Sequence, residues 1–169
     1  VTWKRDFTFG VYVQGGAEPM DGHISADRYG RFNKMASEDN LIFVSGSKLN
    51  FGDYSLANKA KKPDFEFKGD IYKVKTYRDI TKLEKNELFV YESVPGTKVT
   101  GFYEDGSEII FQVEGYEDTQ ITLELEAETE YIVFIDDANI GSMKTNLGGK
   151  LVISVELGLE SRKIRVVKA

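Results

Sequence analysis

His23 is the only histidine of the 169 residues, and it lies close to Ser25 and Asp27 in Met20-Asp-Gly-His-Ile-Ser-Ala-Asp27. Those are the residue types of a nucleophilic triad. A triad is assembled by spatial convergence, with the base reaching the nucleophile and the acid orienting the base. Adjacency within one short polar loop gives little basis for that geometry. One histidine also rules out the two-histidine metal motif H-E-x-x-H. Cysteine is absent, which removes thiol nucleophiles, disulfides, zinc–thiolate sites and iron–sulfur clusters. The 28 Asp and Glu residues offer many carboxylates, but glycoside hydrolysis needs two at a defined separation. Glu124, Glu126, Glu128 and Glu130 fall at outward strand positions or turns. Asn146-Leu-Gly-Gly149 lacks the Lys-Ser/Thr of a phosphate loop and reads as a hairpin turn. Asp136-Asp137 reads as a turn whose oxygens could hold calcium, although it lacks the D-x-D-x-D-G spacing. The expectation is no catalytic residue, no metal-ligating set and no cofactor other than a structural calcium.

Binding chemistry is easier to build. Between Lys59 and Arg78 there are seven basic residues, Lys59, Lys61, Lys62, Lys68, Lys73, Lys75 and Arg78, against three acids. Tyr54, Tyr72 and Tyr77 lie in or beside this stretch. Ammonium groups bind sugar carboxylates through charge-assisted hydrogen bonds, and tyrosine rings offer flat apolar faces to a sugar. Pairing of Lys73 with Glu66 and of Lys75 with Asp64 across a hairpin would spend those two lysines within a sheet, and the same register turns Tyr72 toward the core. The expected ligand set on this stretch is then Lys59, Lys61, Lys62 and Tyr77. A second candidate combines His23 with Arg28 and Arg31, the arginines that flank Tyr29 in Arg28-Tyr-Gly-Arg-Phe32. Acidic polysaccharide is the expected ligand.

The elements that must carry these residues are strands. Short alternating or apolar runs, bounded by Gly, Asn and Asp, recur throughout. They predict strands at 5–13, 41–45, 64–68, 71–77, 88–93, 98–103, 108–114, 120–126, 131–135, 140–145, 151–157 and 163–167. A short helix fits only within 25–39, where Gly30 weakens it. Gly69-Asp70 as a two-residue turn places Phe67 opposite Tyr72 and Phe65 opposite Val74. Asp105-Gly106 as a second turn puts Phe102, Ile109, Phe111 and Val113 on one buried face. Many strands without helical crossovers predict an all-β chain, an antiparallel β-sandwich of jelly-roll or Ig-like type in one or two packed units.

Residues 1–90 carry 15 Lys/Arg against 13 Asp/Glu, and residues 91–169 carry 7 against 15. This asymmetry, with Pro95-Gly96 between the halves, places an expected boundary between a unit at 1–91 and a unit at 92–169. A net charge of −6 argues against a nucleic-acid partner. Apolar runs of four or five residues are too short to span a bilayer. The chain opens at Val1 without Met, as an excised fragment or a mature product does.

Two segments carry a resemblance. One is Pro95-Gly-Thr-Lys-Val-Thr-Gly-Phe followed by Ile-Phe-Gln-Val-Glu-Gly115, Glu130-Tyr-Ile-Val-Phe-Ile-Asp136 and Gly-Gly-Lys-Leu-Val-Ile-Ser-Val155. The other is Leu49-Asn-Phe-Gly-Asp-Tyr-Ser-Leu with Lys62-Pro-Asp-Phe-Glu-Phe-Lys-Gly-Asp-Ile-Tyr72. They resemble the non-catalytic C-terminal β-sandwich and carbohydrate-binding modules of secreted multimodular bacterial polysaccharide lyases, of alginate-lyase or heparinase type. The resemblance implies a non-enzymatic accessory module, secreted or at the cell surface, for an acidic polysaccharide such as alginate. The second reading is a structural or assembly β module, such as a phage-tail or cell-surface spacer, which binds no sugar and forms a homo-oligomer through an exposed strand edge.

Overall fold

A computed structural model of the chain describes residues 25–27, 31–33 and 38–169. The chain divides into two compact units, 1–36 and 37–169. In the first, β1 (Ser25–Asp27) pairs antiparallel with β2 (Arg31–Asn33). Within the 25–39 range expected to hold a helix, the described residues form a pair of short strands, and among the described residues helix is confined to the single turn α1 (Glu38–Leu41). A glycine in a helix interior costs about 1 kcal/mol, and Gly30 stands between the two strands. The strand expected at 5–13 lies outside the described residues.

The second unit is a sandwich of two antiparallel sheets. In chain order its strands are β3 (Ile42–Ser45), β4 (Lys48–Phe51), β5 (Ala60–Phe67), β6 (Asp70–Tyr77), β7 (Ile80–Lys85), β8 (Leu88–Val94), β9 (Lys98–Glu104), β10 (Glu108–Glu114), β11 (Thr119–Glu124), β12 (Glu130–Ile135), β13 (Ala138–Lys144), β14 (Lys150–Val155) and β15 (Arg162–Lys168). The seven-stranded sheet runs β13-β12-β15-β10-β9-β4-β3, and the six-stranded sheet runs β14-β11-β8-β7-β6-β5. Along β6, Tyr72, Val74 and Thr76 are buried while Lys73 and Lys75 point out. Along β14, Leu151, Ile153 and Val155 are buried. Period-2 alternation with one wet face is what packing two sheets face to face demands. At the centre, Phe51 meets Tyr91 edge-on at 5.2 Å, and Tyr91 meets Phe111 at 5.7 Å. Phe102, Ile109, Phe111 and Val113 are all buried, as the sequence predicts.

The expected division at 91/92 falls inside β8, and strands from both sides of it are neighbours in each sheet. Pro95 and Gly96 belong to an internal connection and not to a linker. Gly96 is buried, and its amide donates to the Arg78 carbonyl at 2.9 Å. A Cβ there would lie 2.1 Å from the Tyr77 carbonyl oxygen, so the glycine answers a close backbone approach. Thr97 beside it accepts and donates within a buried network. The Thr81 hydroxyl donates to the Thr97 carbonyl at 2.8 Å, while Tyr91 Oη and Ser93 Oγ each lie 2.7 Å from Thr97 Oγ1.

Within the second unit two strands escape the sequence pattern, β4 and β7. In β7 the inward residues are Thr81 and Leu83, so only one large apolar side chain marks the buried face. The hydroxyl of Thr81 is satisfied by Thr97, which lets a polar residue occupy a core position. Asn146–Gly149 connects β13 to β14, strands of different sheets. It is a crossover and not the expected hairpin turn, and Asn146 Oδ1 closes it by accepting from the amides of Gly148 and Lys150 at 2.8 and 2.9 Å.

Candidate functional site

The basic stretch folds as the β5–β6–β7 portion of the six-stranded sheet, and its register differs from the expected one. The turn residues are Lys68 and Gly69, with φ of 52° and 83°, the pair of positive values that a tight right-twisted hairpin requires. Phe67 therefore faces Asp70, Phe65 faces Tyr72 and Glu66 faces Ile71. The slide is by an even number of residues, so the apolar side still points inward. The acid–base pairings of Glu66 with Lys73 and Asp64 with Lys75 are lost. A bulge between Lys62 and Phe65, with Asp64 at φ 58°, realigns the remainder so that Lys61 faces Lys75.

On β7, Lys82 faces Lys75 from the other side, and Glu84 faces Lys73. Lys61, Lys75 and Lys82 thus form one row across three adjacent strands on the outer face. Lys75 and Lys61 make no ion pair within 4.0 Å among the described residues; Lys82 Nζ lies 3.6 Å from Glu84. Phe89 of β8 continues the face, with Lys82 Nζ 5.8 Å and Lys150 Nζ 4.6 Å from its ring centre. Such contacts hold an ammonium over the negative face of a ring. Lys150 in turn meets Glu124 at 3.2 Å.

Of the residues expected to bind, Lys61 lies in the row. Tyr77 follows on the same face of β6, with Lys59 Nζ 5.9 Å from its ring. Partial desolvation and the neighbouring Asp79 raise the Tyr77 phenol above its ordinary value. Lys62 is on the opposite side of β5, in register with buried Val74, because successive strand residues alternate faces. Arg31 opens β2 opposite Asp27. His23 and Arg28 lie outside the described residues. Tyr54 leaves the basic stretch altogether. Its hydroxyl donates to Glu114 at 3.1 Å, and its ring stands edge-on to Tyr116 at 4.7 Å.

Sequence reasoning passed over Lys82, Phe89 and Lys150. The signal for Lys82 was the alternation in Ile80-Thr-Lys-Leu-Glu-Lys, and the lysine becomes visible once β7 is paired with β6. Phe89 and Lys150 are brought together only by the strand order β14-β11-β8. At the Asp136-Asp137 turn both carboxylates are engaged. Asp136 accepts from Arg162 Nη1 at 2.8 Å and from the Lys163 amide at 2.9 Å, and Asp137 meets Lys163 Nζ at 3.1 Å. Among the described residues no group of three His, Cys, Asp or Glu is placed to hold a metal ion, and no helix is long and apolar enough to cross a membrane. Comparison with protein-family models, with curated proteins and with solved structures finds no match to this chain.

Proposed function

We propose that the chain is a non-catalytic carbohydrate-binding module whose outer β5–β6–β7 face takes an acidic polysaccharide. The row Lys61–Lys75–Lys82 carries this reading. Like charges directly opposite one another in a sheet are destabilising. Lys82 is offset by Glu92 facing it from β8 and by Glu84, whereas Lys61 and Lys75 face each other with no acid paired to either among the described residues. A polyanion laid along the row relieves the repulsion, its carboxylates accepting charge-assisted hydrogen bonds. Phe89 and Tyr77 supply flat apolar surface beside the charges. The resemblance to accessory modules of secreted bacterial polysaccharide lyases supports the wider context, and alginate is the first uronic-acid polymer to try.

Affinity electrophoresis against alginate, pectin, heparin, xylan and a neutral glucan tests the reading. Retardation by an acidic glycan alone is expected, weakening as salt rises. The combined Lys61→Gln, Lys75→Gln and Lys82→Gln variant should migrate as if no glycan were present. Free migration of the unsubstituted chain in every gel would overturn the reading and favour a structural β module, to be examined by sizing chromatography.

A further inference from the structure

The end of the sandwich that bears the β3–β4, β5–β6, β7–β8 and β9–β10 turns opens into a cleft between the two sheets. Its volume is about 110 Å³, and its lining includes Ser47, Leu49 and Phe102 to Glu104 from one sheet and Phe67 to Lys68, Asp70, Tyr72 and Lys85 from the other. A single water needs at least about 10–15 Å³ on this measure, so there is room for something much larger.

The polar groups are held in place. Lys85 Nζ bridges the sheets, 3.4 Å from Glu104 and 4.0 Å from Asp70. Asp70 also accepts from Asn86 Nδ2 at 2.9 Å, and Asn86 Oδ1 accepts from the Ile71 amide at 3.0 Å. The aromatic wall is Phe67 and Tyr72, with ring centres 6.2 Å apart and planes inclined by 48°. Lys68 Nζ sits 5.2 Å from the Phe67 ring.

Tyr72 is the telling residue. It is only 7% exposed, yet its hydroxyl has no hydrogen-bond partner among the described residues. Buried polar groups are ordinarily satisfied, and one that is not calls for a water or a ligand. Burial, with the nearby carboxylates of Glu104 and Asp70, pushes the phenol up to about 12. At neutral pH the hydroxyl is therefore both a donor and an acceptor.

We infer that this cleft binds one neutral pyranose ring, either as the end of a glycan chain or as a free sugar. Two carboxylates and two ammonium groups balance one another around the opening, so neither an anionic nor a cationic ligand is favoured. Sugar hydroxyls, each donor and acceptor at once, suit such a mixed lining. Carboxylates accept from them, Lys85 donates to them, the Tyr72 hydroxyl does either, and the partly exposed Phe67 ring offers apolar surface to the C–H face of the sugar. The site is distinct from the lysine face and does not depend on it.

Amide NMR titration of the full chain with methyl glycosides of neutral hexoses, and with a methyl uronide, tests the inference. A neutral glycoside should shift the amides of Ser47, Lys68, Asp70, Tyr72, Lys85 and Glu104, and the uronide should bind less well. Tyr72→Phe keeps the ring and removes the hydroxyl. Affinity should fall about three- to tenfold, with no loss of stability in denaturant. Glu104→Gln, on an exposed strand end, should weaken binding as well. A neutral oligosaccharide that binds more tightly than its methyl monosaccharide identifies a chain end as occupant, and equal affinities identify a free sugar. The inference is overturned if no neutral glycoside moves these amides, or if binding is undiminished in both variants. Neither result bears on retention by acidic glycans, which reads the lysine face.

Discussion

Lys75 lies between Lys61 and Lys82 in one cross-strand row, so neutralising it should stabilise the fold and weaken the proposed activity together. Neighbouring strands are about 4.8 Å apart, and splaying sets the ammonium groups further apart, at roughly 7 Å. Two unit charges at that distance in water repel by about 0.6 kcal/mol. Lys75 has such a neighbour on each side, and the pairing of Lys82 with Glu84 at 3.6 Å, together with Glu92 opposite Lys82 on β8, offsets much of one repulsion. Lys75→Gln keeps most of the side chain's length and removes the charge. It should raise unfolding stability by about 0.5–1 kcal/mol at low salt, which is about 1–4 °C in Tm for a chain of this size. At 0.5 M salt the Debye length falls to about 4 Å, and the gain should shrink to near zero. An exposed ion pair contributes about 0.2–1 kcal/mol, so affinity for a retained acidic glycan should drop about two- to fivefold. Differential scanning fluorimetry at two salt concentrations and affinity gels on the same protein read both effects. Destabilisation by Lys75→Gln at low salt, or a gain indifferent to salt, would refute the argument that the row is held against its own repulsion.

The remaining predictions concern the frame of the site. Gly96→Ala would put a methyl group 2.1 Å from the Tyr77 carbonyl oxygen and should cost about 3 kcal/mol, read as a lowered denaturant midpoint at unchanged m. Thr97→Val leaves the buried hydroxyls of Tyr91 and Ser93 without their shared partner and should cost about 1–3 kcal/mol. In alkali, burial and Glu114 hold the Tyr54 phenol at about 12 against an ordinary 10.0. A raised folded value means that stability is fully present below pH 10 and lost as pH climbs toward 12, and Tyr54→Phe should flatten that limb of a pH–stability curve. In acid, the Lys163 amide and then Arg162 hold Asp136 below its ordinary value. Its contribution is present above the unfolded value and lost as pH falls through the folded one, so Asp136→Asn should blunt the acid limb.

Much of the sheet architecture is local information. Alternation with a period of two is set by which side of a strand meets water, so the buried faces of β6, β10, β11 and β14 are legible from residue order alone. Turns with Gly, Asn or Asp mark where strands stop. Local pattern does not carry register, and the β5–β6 hairpin illustrates the reason. Sliding by two residues preserves the faces at the turn and replaces every partner, which removes the expected acid–base ladder, and the bulge between Lys62 and Phe65 then sets Lys61 opposite Lys75. Nor does it carry sheet membership. Pro95-Gly96 looks like a linker to a local reading, yet it is a tight connection through the core, because what constrains Gly96 is the Tyr77 carbonyl on another strand. Phe89 and Lys150 meet, and the cleft around Tyr72 exists, through strand order alone. The residue sequence by itself determined that this chain makes strands and which sides of them are apolar; the packing of distant strands decided which charges and hydroxyls share one face or one cleft.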